Sequence, residues 1–568
     1  MLRYLQTDWQ SAGGRERVQL LSVIRYKIKV GYCFELIPLF IIFISTNLNV
    51  MDSEILKAVS NIVQRAERMI DDAKIQSTYE EIGVIPLLNN RNNQIIYGRR
   101  GTGKTHVFKY LASELKVGND IVVYVDCRTL SSASSFEDSC PSRKYRSHAI
   151  FRDIIGEIED TVKQYIALNA PNDSALALDA LEQMIKATSI KESKKRDTRK
   201  TEVRGRTTTD NVGMKFSIPQ LTLDFDSKVE EESAAQTTTS YRMEEHEKLV
   251  FPDINYKARE LVQHLKVNIY VLLDEWSSIP LDVQSFLADC INKSFFAIPH
   301  FVFKIAALEY RSNFTIVMQN NLHIGFELGS DISSNLDLDD YFVFDKNPDS
   351  ITAIFAGILS KHIKSELPEG YLDKIKVTST QQVINYLFSN RAVFKELVRA
   401  SEGVPRDMIN IFNLAYFDAQ KQNKSKIDKP IILSAARDWF EKDKFTNIDD
   451  SLNYVLQRIV TEVIGNRKAR SFLIRRELER NDVIQRLFDA RVIHFVKRGY
   501  ADKDNPGVRY NIYTLDYGTY VDLLKTAKKP DGYLPLDENM SSRDIVVPFD
   551  DKRSIRRIIL TEEMLKLN

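Results

Sequence analysis

The sequence predicts an α/β protein. A parallel sheet covered by helices on both faces is followed by an all-α unit, and then by a small unit of helices and a β-hairpin. Three observations predict this. Between residues 94 and 344, apolar runs of strand length alternate with stretches of helical periodicity, as in a sheet whose strands are joined by crossover helices. The first of these runs ends in a glycine-rich loop that opens a helix. From Ser350 to about Asp443 only helical spacing remains, and beyond Ser451 helices give way to two strands around a turn.

The chain has 568 residues, enough for two to four domains. A hydrophobic content of 43% and a charged content of 28% fit a globular, soluble protein. Lys and Arg number 79 against 78 Asp and Glu, so any nucleic-acid surface must be local. Cys33, Cys127, Cys140 and Cys290 lack metal-ligand spacing and are expected to be free thiols in a reducing, cytoplasmic setting. The apolar run Leu36–Ile44 is interrupted by Pro38 and falls short of the roughly 20 residues of a membrane helix, so no membrane association is expected. Met51-Asp52-Ser53-Glu54-Ile55 resembles a natural start. Residues 1–50 are therefore expected to be absent or disordered in the working protein, which N-terminal mass spectrometry of native protein would check.

The elements follow in order. Apolar spacing at Ile55, Val59, Ile62, Val63, Ala66, Met69 and Ile70 predicts an amphipathic helix over 53–75. Strands are expected at Gln94–Tyr97, Ile121–Asp126, Asn268–Asp274, Phe301–Ala307 and Tyr341–Phe344, with helices at 255–265 and 281–294 among those between them. This core spans 51–345, with a polar insertion at 188–250 that carries a basic run, Lys191–Arg206. The all-α unit spans 346–445. A third unit, 446–525, is expected to have helices at Leu452–Ile464, Phe472–Leu478 and Asp482–Leu487, then strands at Val492–Lys497 and Val508–Tyr513, an order that fits a winged helix. Residues 526–568 form a tail with a basic patch at Lys552, Arg553, Arg556 and Arg557.

The chemistry is concentrated in Gly98-Arg99-Arg100-Gly101-Thr102-Gly103-Lys104-Thr105, the G-x-x-x-x-G-K-[ST] phosphate loop, followed by His106 in the helix it opens. Glycines let backbone N–H groups close around phosphate oxygens, and the helix N-terminus adds its dipole. Lys104 would reach the β- and γ-phosphates, and Thr105 could hold Mg²⁺. The strand ending Leu272-Leu273-Asp274-Glu275 supplies the partner motif. Asp274 would hold Mg²⁺ and Glu275 would polarise the attacking water.

With these motifs in hand, the chain resembles the AAA+ ATPases, and among them the origin-recognition (ORC) initiator-like branch. The similarity lies in GRRGTGKTH, in a second strand ending YVDCR, in LLDEW, in Gly403-Val404-Pro405-Arg406-Asp407, and in the following winged helix, over roughly residues 60–520. The resemblance implies a P-loop NTPase core with an all-α lid, ATP bound between them, Arg406 sensing the γ-phosphate, and a possible homo-oligomer. Arg311 is the sole arginine between residues 311 and 390 and so the candidate arginine finger; Glu309 and Asn313 are candidate sensor residues. The candidate DNA contacts are Arg475, Arg476, Arg480 and Arg486 on helices, with Lys497, Arg498, Lys503 and Arg509 near the wing; acidic residues interleave with them. Two functions stay open. One is an initiator-like ATPase whose nucleotide state controls assembly on duplex DNA. The other is a nucleotide-switched signalling or defence NTPase that uses the winged helix for protein contacts with an effector.

Overall fold

The computed structural model describes residues 52–62, 65–69, 71–130, 143–199, 239–319, 321–501, 506–524 and 558–567. The expectations for residues 1–50, for Lys503, for the basic tail patch and for most of the polar insertion lie outside these residues.

The N-terminal apolar stretch is two helices rather than one. Helix α1 (Ser53–Asn61) ends where Ile62 turns extended, and α2 (Asp72–Thr78) starts afresh on Asp71, whose side chain accepts from the Ala73 N–H. Strand β1 (Gln94–Tyr97) leads through the phosphate loop into α3 (Lys104–Val117). After β2 (Ile121–Asp126) come α4 (Arg143–Asn169) and α5 (Ser174–Lys186). The insertion is entered and left by an antiparallel pair, β3 (Ile190–Arg199) and β4 (Thr239–Lys248). Then follow α6 (Phe251–Leu265), β5 (Ile269–Asp274), α7 (Leu281–Ile291) and β6 (Phe301–Ala307). Helix α7 continues as a π-turn over Asn292–Phe296. A small hairpin, β7 (Thr315–Val317) and β8 (His323–Gly325), precedes β9 (Ser333–Asp337).

The main sheet has the order β2-β5-β6-β1-β9, and each adjacent pair in it is parallel. Alternate residues face opposite layers, as pleating requires. Ile95, Val271 and Leu273 join Phe151, Ile154 and Leu287 on one face. Ile96, Tyr270 and Leu272 meet Val107, Phe108 and Leu111 of α3 on the other.

The last strand corrects the expectation at Tyr341–Phe344. Those residues follow a 3₁₀ turn, Leu338–Tyr341, and the strand is the polar stretch Ser333–Asp337. An edge strand buries little, and here Leu336 alone is buried. Phe342 and Phe344 instead pack into the helical unit.

That unit comprises α8 (Pro348–Glu366), α9 (Tyr371–Lys374), α10 (Thr380–Leu387), α11 (Arg391–Ala400), α12 (Pro405–Lys421) and α13 (Lys429–Trp439). Side-chain caps start several of them: Asn347 for α8, a reciprocal Ser379/Gln382 capping box for α10, Asn390 for α11 and Asp428 for α13. The C-terminal unit holds α14 (Asp450–Val460), β10 (Ser471–Arg475), α15 (Asp482–Asp489), β11 (Ile493–Ala501) and β12 (Arg509–Leu515).

The expected helix at Phe472–Leu478 is therefore strand β10 followed by a 3₁₀ turn. Strand β10 pairs antiparallel with β12, in a three-stranded sheet ordered β10-β12-β11. The tail adds to its edge, where Ile558 and Leu560 exchange backbone hydrogen bonds with Leu473. One continuous apolar cluster runs from Ile55 of α1 through the helical unit to Tyr513 and Leu565. The helical and C-terminal units thus share a core.

Candidate nucleotide site

The phosphate loop has the backbone its glycines permit. Gly101 and Gly103 have φ of +90° and +99°, values strained for any residue with a Cβ. A Cβ on Gly101 would also lie 2.9 Å from the Cβ of Arg406. The Arg406 N–H donates to the Gly101 carbonyl at 3.2 Å. The lid and the loop therefore touch directly at these two residues.

The approach depends on Gly403. Its φ is +76°, and a Cβ there would sit 2.1 Å from the Phe342 carbonyl oxygen. Pro405 then opens α12 at its first position and sets Arg406 in the first turn.

A cavity of about 320 Å³ lies between core and lid. Its walls include Gly101 to His106, Glu275, Arg128 and Arg406. Lys104 is buried and donates to the carbonyls of Gly98 at 2.7 Å and Arg99 at 3.1 Å. Burial pulls its pKa down, opposed by the charges of Glu275, Asp274 and Asp339. Arg406 is the second cation on the wall; it is half-buried, and its buried Nε has no partner among the described residues. Burial lowers its pKa too, against the field of Glu67. A buried guanidinium N–H left unpaired costs about 1–3 kcal/mol, and an anion in the cavity would remove that cost.

Asp274 ends β5 and is 1% exposed. Its two oxygens accept from the Tyr124 hydroxyl and from the Glu275 N–H, both at 2.8 Å. Glu275 has φ +54°, an uncommon value for this residue type, and lines the cavity. The Thr105 hydroxyl and the Asp274 carboxylate are hard oxygen donors of the kind Mg²⁺ takes. Cys127 and Cys290 are buried, and burial raises both thiols, Cys290 to about 12, which suits inert core residues.

Other predicted positions do not gather here. The cavity wall includes neither Gly98 nor Arg99, and Asp274 lies buried behind it, next to Glu275. The Arg99 side chain turns away and is 4% exposed. Its backbone N–H and its Nε each donate to Asp339 at 2.9 Å, and its guanidinium contacts His494 of β11. His494 Nε2 pairs with Asp516 at 2.7 Å; Asp516 meets Lys444; Lys444 meets Asp407, beside Arg406; and Asp407 meets Arg491. A buried chain of hydrogen bonds and ion pairs, in which burial pushes the pKa of His494 down to about 4 and keeps it neutral, therefore links the phosphate loop, the lid and the C-terminal unit. It was invisible in the sequence because bonded neighbours in it lie as much as 395 positions apart.

Arg311 lies outside the cavity wall and pairs in cis with Asp489 of α15. Glu309 holds Arg498, while the Asn313 N–H donates to Gln284 at 2.7 Å. Arg498, expected at the wing surface, is clamped by Glu309, Asp337 and Glu479. Arg486 pairs with Asp449 and Asp482. Arg475, Arg476, Arg480 and Arg509 are exposed, and Lys497 is half-buried. Sequence reasoning missed Arg128, which lines the cavity and pairs with Asp126 at 2.6 Å, and also Tyr124. Both lie in the YVDCR segment, which carried only a resemblance and no role for either side chain.

A phosphate loop, an acidic strand end and a lid arginine around one cleft, on a parallel five-stranded sheet, define a P-loop nucleotide-binding fold of the AAA+ class. Residues 63–324 match the ORC-CDC6-like family, and over that stretch the chain is similar to it. Comparison with curated proteins gave no match. Among solved structures the chain is similar to Cdc6p from Pyrobaculum aerophilum, at 12% identity over 84% of this chain and 96% of that one, with a TM-score of 0.29. The ORC2 protein of Aeropyrum pernix, in its ADPNP-ADP complexes, gives 10% identity, coverage of 84% and 96%, and a TM-score of 0.31. Thermotoga maritima RuvB, described as a Holliday junction branch migration motor, gives 10%, 79% and 92%, and 0.30. At such scores these likenesses add nothing to the family match. Among the described residues, no helix is long and apolar enough to cross a membrane.

Proposed function

We propose that the protein binds and hydrolyses ATP and that its nucleotide state controls assembly on duplex DNA through a winged-helix C-terminal unit. The observation that carries ATP chemistry is the shared cavity, which has Lys104 and Thr105 on one wall, Glu275 on another and Arg406 on the lid. Lys104 binds the β- and γ-phosphates, and Arg406 contacts the γ-phosphate from the lid. Glu275 orients water and accepts its proton. Thr105 and Asp274 would hold Mg²⁺, which would neutralise phosphate charge. Arg475, Arg476, Arg480 and Arg509, all exposed, are the DNA contacts that this reading keeps.

A second reading, a nucleotide switch whose C-terminal unit is an internal clamp for a partner effector, gains support from Arg498 and Arg311. Both are engaged with carboxylates of this same chain.

Duplex binding by the Glu275→Gln protein, with ATP and with ADP across a salt series, separates the two. Tighter binding with ATP and a steep salt slope supports the initiator reading. ATP binding without DNA binding at low salt turns the search to an effector protein.

A further inference from the structure

The cavity has an end that phosphate chemistry does not use. It is walled by Tyr79, Ile82, His106, Ile358 and His362, three ring side chains and two aliphatic ones, none of them a cation or carboxylate. This is the usual character of a site for a heterocycle. The charges felt by Lys104 come from Glu275, Asp274, Asp339 and Arg406, whereas those felt by His362 come from His106 and Lys74. The two ends are thus electrically distinct.

The two histidines there differ. His106 Nε2 lies 3.2 Å from the Ile75 carbonyl and 3.3 Å from the Thr78 hydroxyl, so that nitrogen is satisfied by the protein. His362, on α8 of the lid, is 6% exposed, and among the described residues neither of its ring nitrogens has a hydrogen-bond partner. Its ring faces His106 at 6.2 Å between centroids. Burial pushes its pKa down to about 3, so it is a neutral imidazole with one donor and one acceptor. Neither nitrogen is among the buried unpartnered atoms, so a ring without a protein partner at the cavity wall is open to a ligand contact. Its place is fixed by its neighbour. Lys361 donates to the Tyr79 carbonyl at 2.7 Å and pairs with Glu80 at 3.0 Å, tying this turn of the lid to the same cavity wall.

We propose that His362 is a base-reading residue, whose ring nitrogen hydrogen-bonds the 6-amino group or N7 of a bound purine and so lets the lid sense that the nucleotide is in place. This deepens the ATP reading above and rests on it.

The test is equilibrium binding of ATP, purine riboside triphosphate (no 6-amino group) and 7-deaza-ATP (no N7 acceptor), each with Mg²⁺, to the full chain and to its His362→Phe variant. The wild-type protein should bind one of the two analogues about tenfold more weakly than ATP, the worth of one hydrogen bond to a buried group. His362→Phe should bind that analogue and ATP equally. If wild-type protein binds all three ligands alike, or if the discrimination survives in His362→Phe, base reading by His362 is overturned while ATP binding stands. If wild-type protein binds none of them, the nucleotide reading fails and this inference with it. Should His362→Phe fail to fold, His362→Asn replaces it. Asn keeps a donor and an acceptor on a shorter arm, so it should retain the fold and lose most of the discrimination. Discrimination undiminished in His362→Asn also overturns the proposal.

Discussion

Two regions of this molecule are built around buried cations and use them in opposite ways. In the cleft, Lys104 and Arg406 face a cavity; Lys104 meets only loop carbonyls, and the Arg406 Nε is unpaired. At the seam with the C-terminal unit, Arg99, Arg491 and Lys444 are each matched to carboxylates. The residue types are alike, but the partners are not. A buried cation short of partners is poised for a ligand, while one with partners holds two parts of the chain together. The phosphate loop contributes to both regions, because Arg99 and Lys104 leave it in different directions.

The sharpest contrast comes from truncating one cation in each region. Lys104→Ala should lower nucleotide affinity more than a hundredfold, beyond ready detection by titration calorimetry, with little loss of stability. Glu275→Gln should keep ATP binding and lower turnover by a factor of about 10²–10⁴, the range for a general base; turnover equal to wild type would remove Glu275 from that role. Arg99→Ala should do the reverse at the seam. It strands Asp339 at 5% side-chain exposure and should cost about 3–5 kcal/mol in urea unfolding, as breaking a buried pair does. If Arg99→Ala unfolds like wild type and loses nucleotide instead, the division between the two regions fails.

Arg498→Ala tests the seam at its rim. The side chain is 36% exposed, with three carboxylates around it, so solvent screening trims the loss to about 1–2 kcal/mol. Protease cleavage around residues 440–450 should rise if this clamp helps to seat the C-terminal unit. An unchanged digestion pattern would restrict the seating to the Arg99 chain.

The cleft was legible because its chemistry is local in sequence. Eight consecutive residues specify the loop, and an apolar strand specifies where Asp274 and Glu275 emerge. Gly403 and Pro405 flag Arg406 as the start of a helix. The seam was not legible. The phosphate-loop pattern leaves position 99 free, so nothing local tells an arginine that faces the ligand from one that faces Asp339. Arg311 and Arg498 looked available for the same reason: their partners Asp489 and Glu309 are contributed by other elements. The misread strand at Ser471–Arg475 reflects a different limit. A short apolar run carries no period that separates a buried strand from a helical turn. The polar edge strand Ser333–Asp337 was missed because an edge needs few apolar residues.

Tyr124 supplies the smallest test and the one that refines the cleft. Its hydroxyl donates to Asp274 Oδ2 at 2.8 Å, and the Glu275 N–H holds Oδ1. The carboxylate that would bind Mg²⁺ is thus oriented at both oxygens. Burial, followed by the adjacent Asp274 charge, pushes the phenol far above its ordinary range, so it stays protonated and remains a donor at every working pH. Tyr124→Phe keeps the ring against Lys109, whose Nζ lies 6.0 Å from its centroid, and removes only the donor. One hydrogen bond to a carboxylate is worth about 1–2 kcal/mol here, so turnover should fall between fivefold and thirtyfold. The Mg²⁺ concentration giving half-maximal turnover should rise, because a carboxylate held at one oxygen is less well aimed. Nucleotide affinity measured without Mg²⁺ should not change. A fall in turnover with no change in Mg²⁺ requirement would mean that Tyr124 supports the strand end and not the metal ligand, leaving Asp274 positioned by the backbone alone.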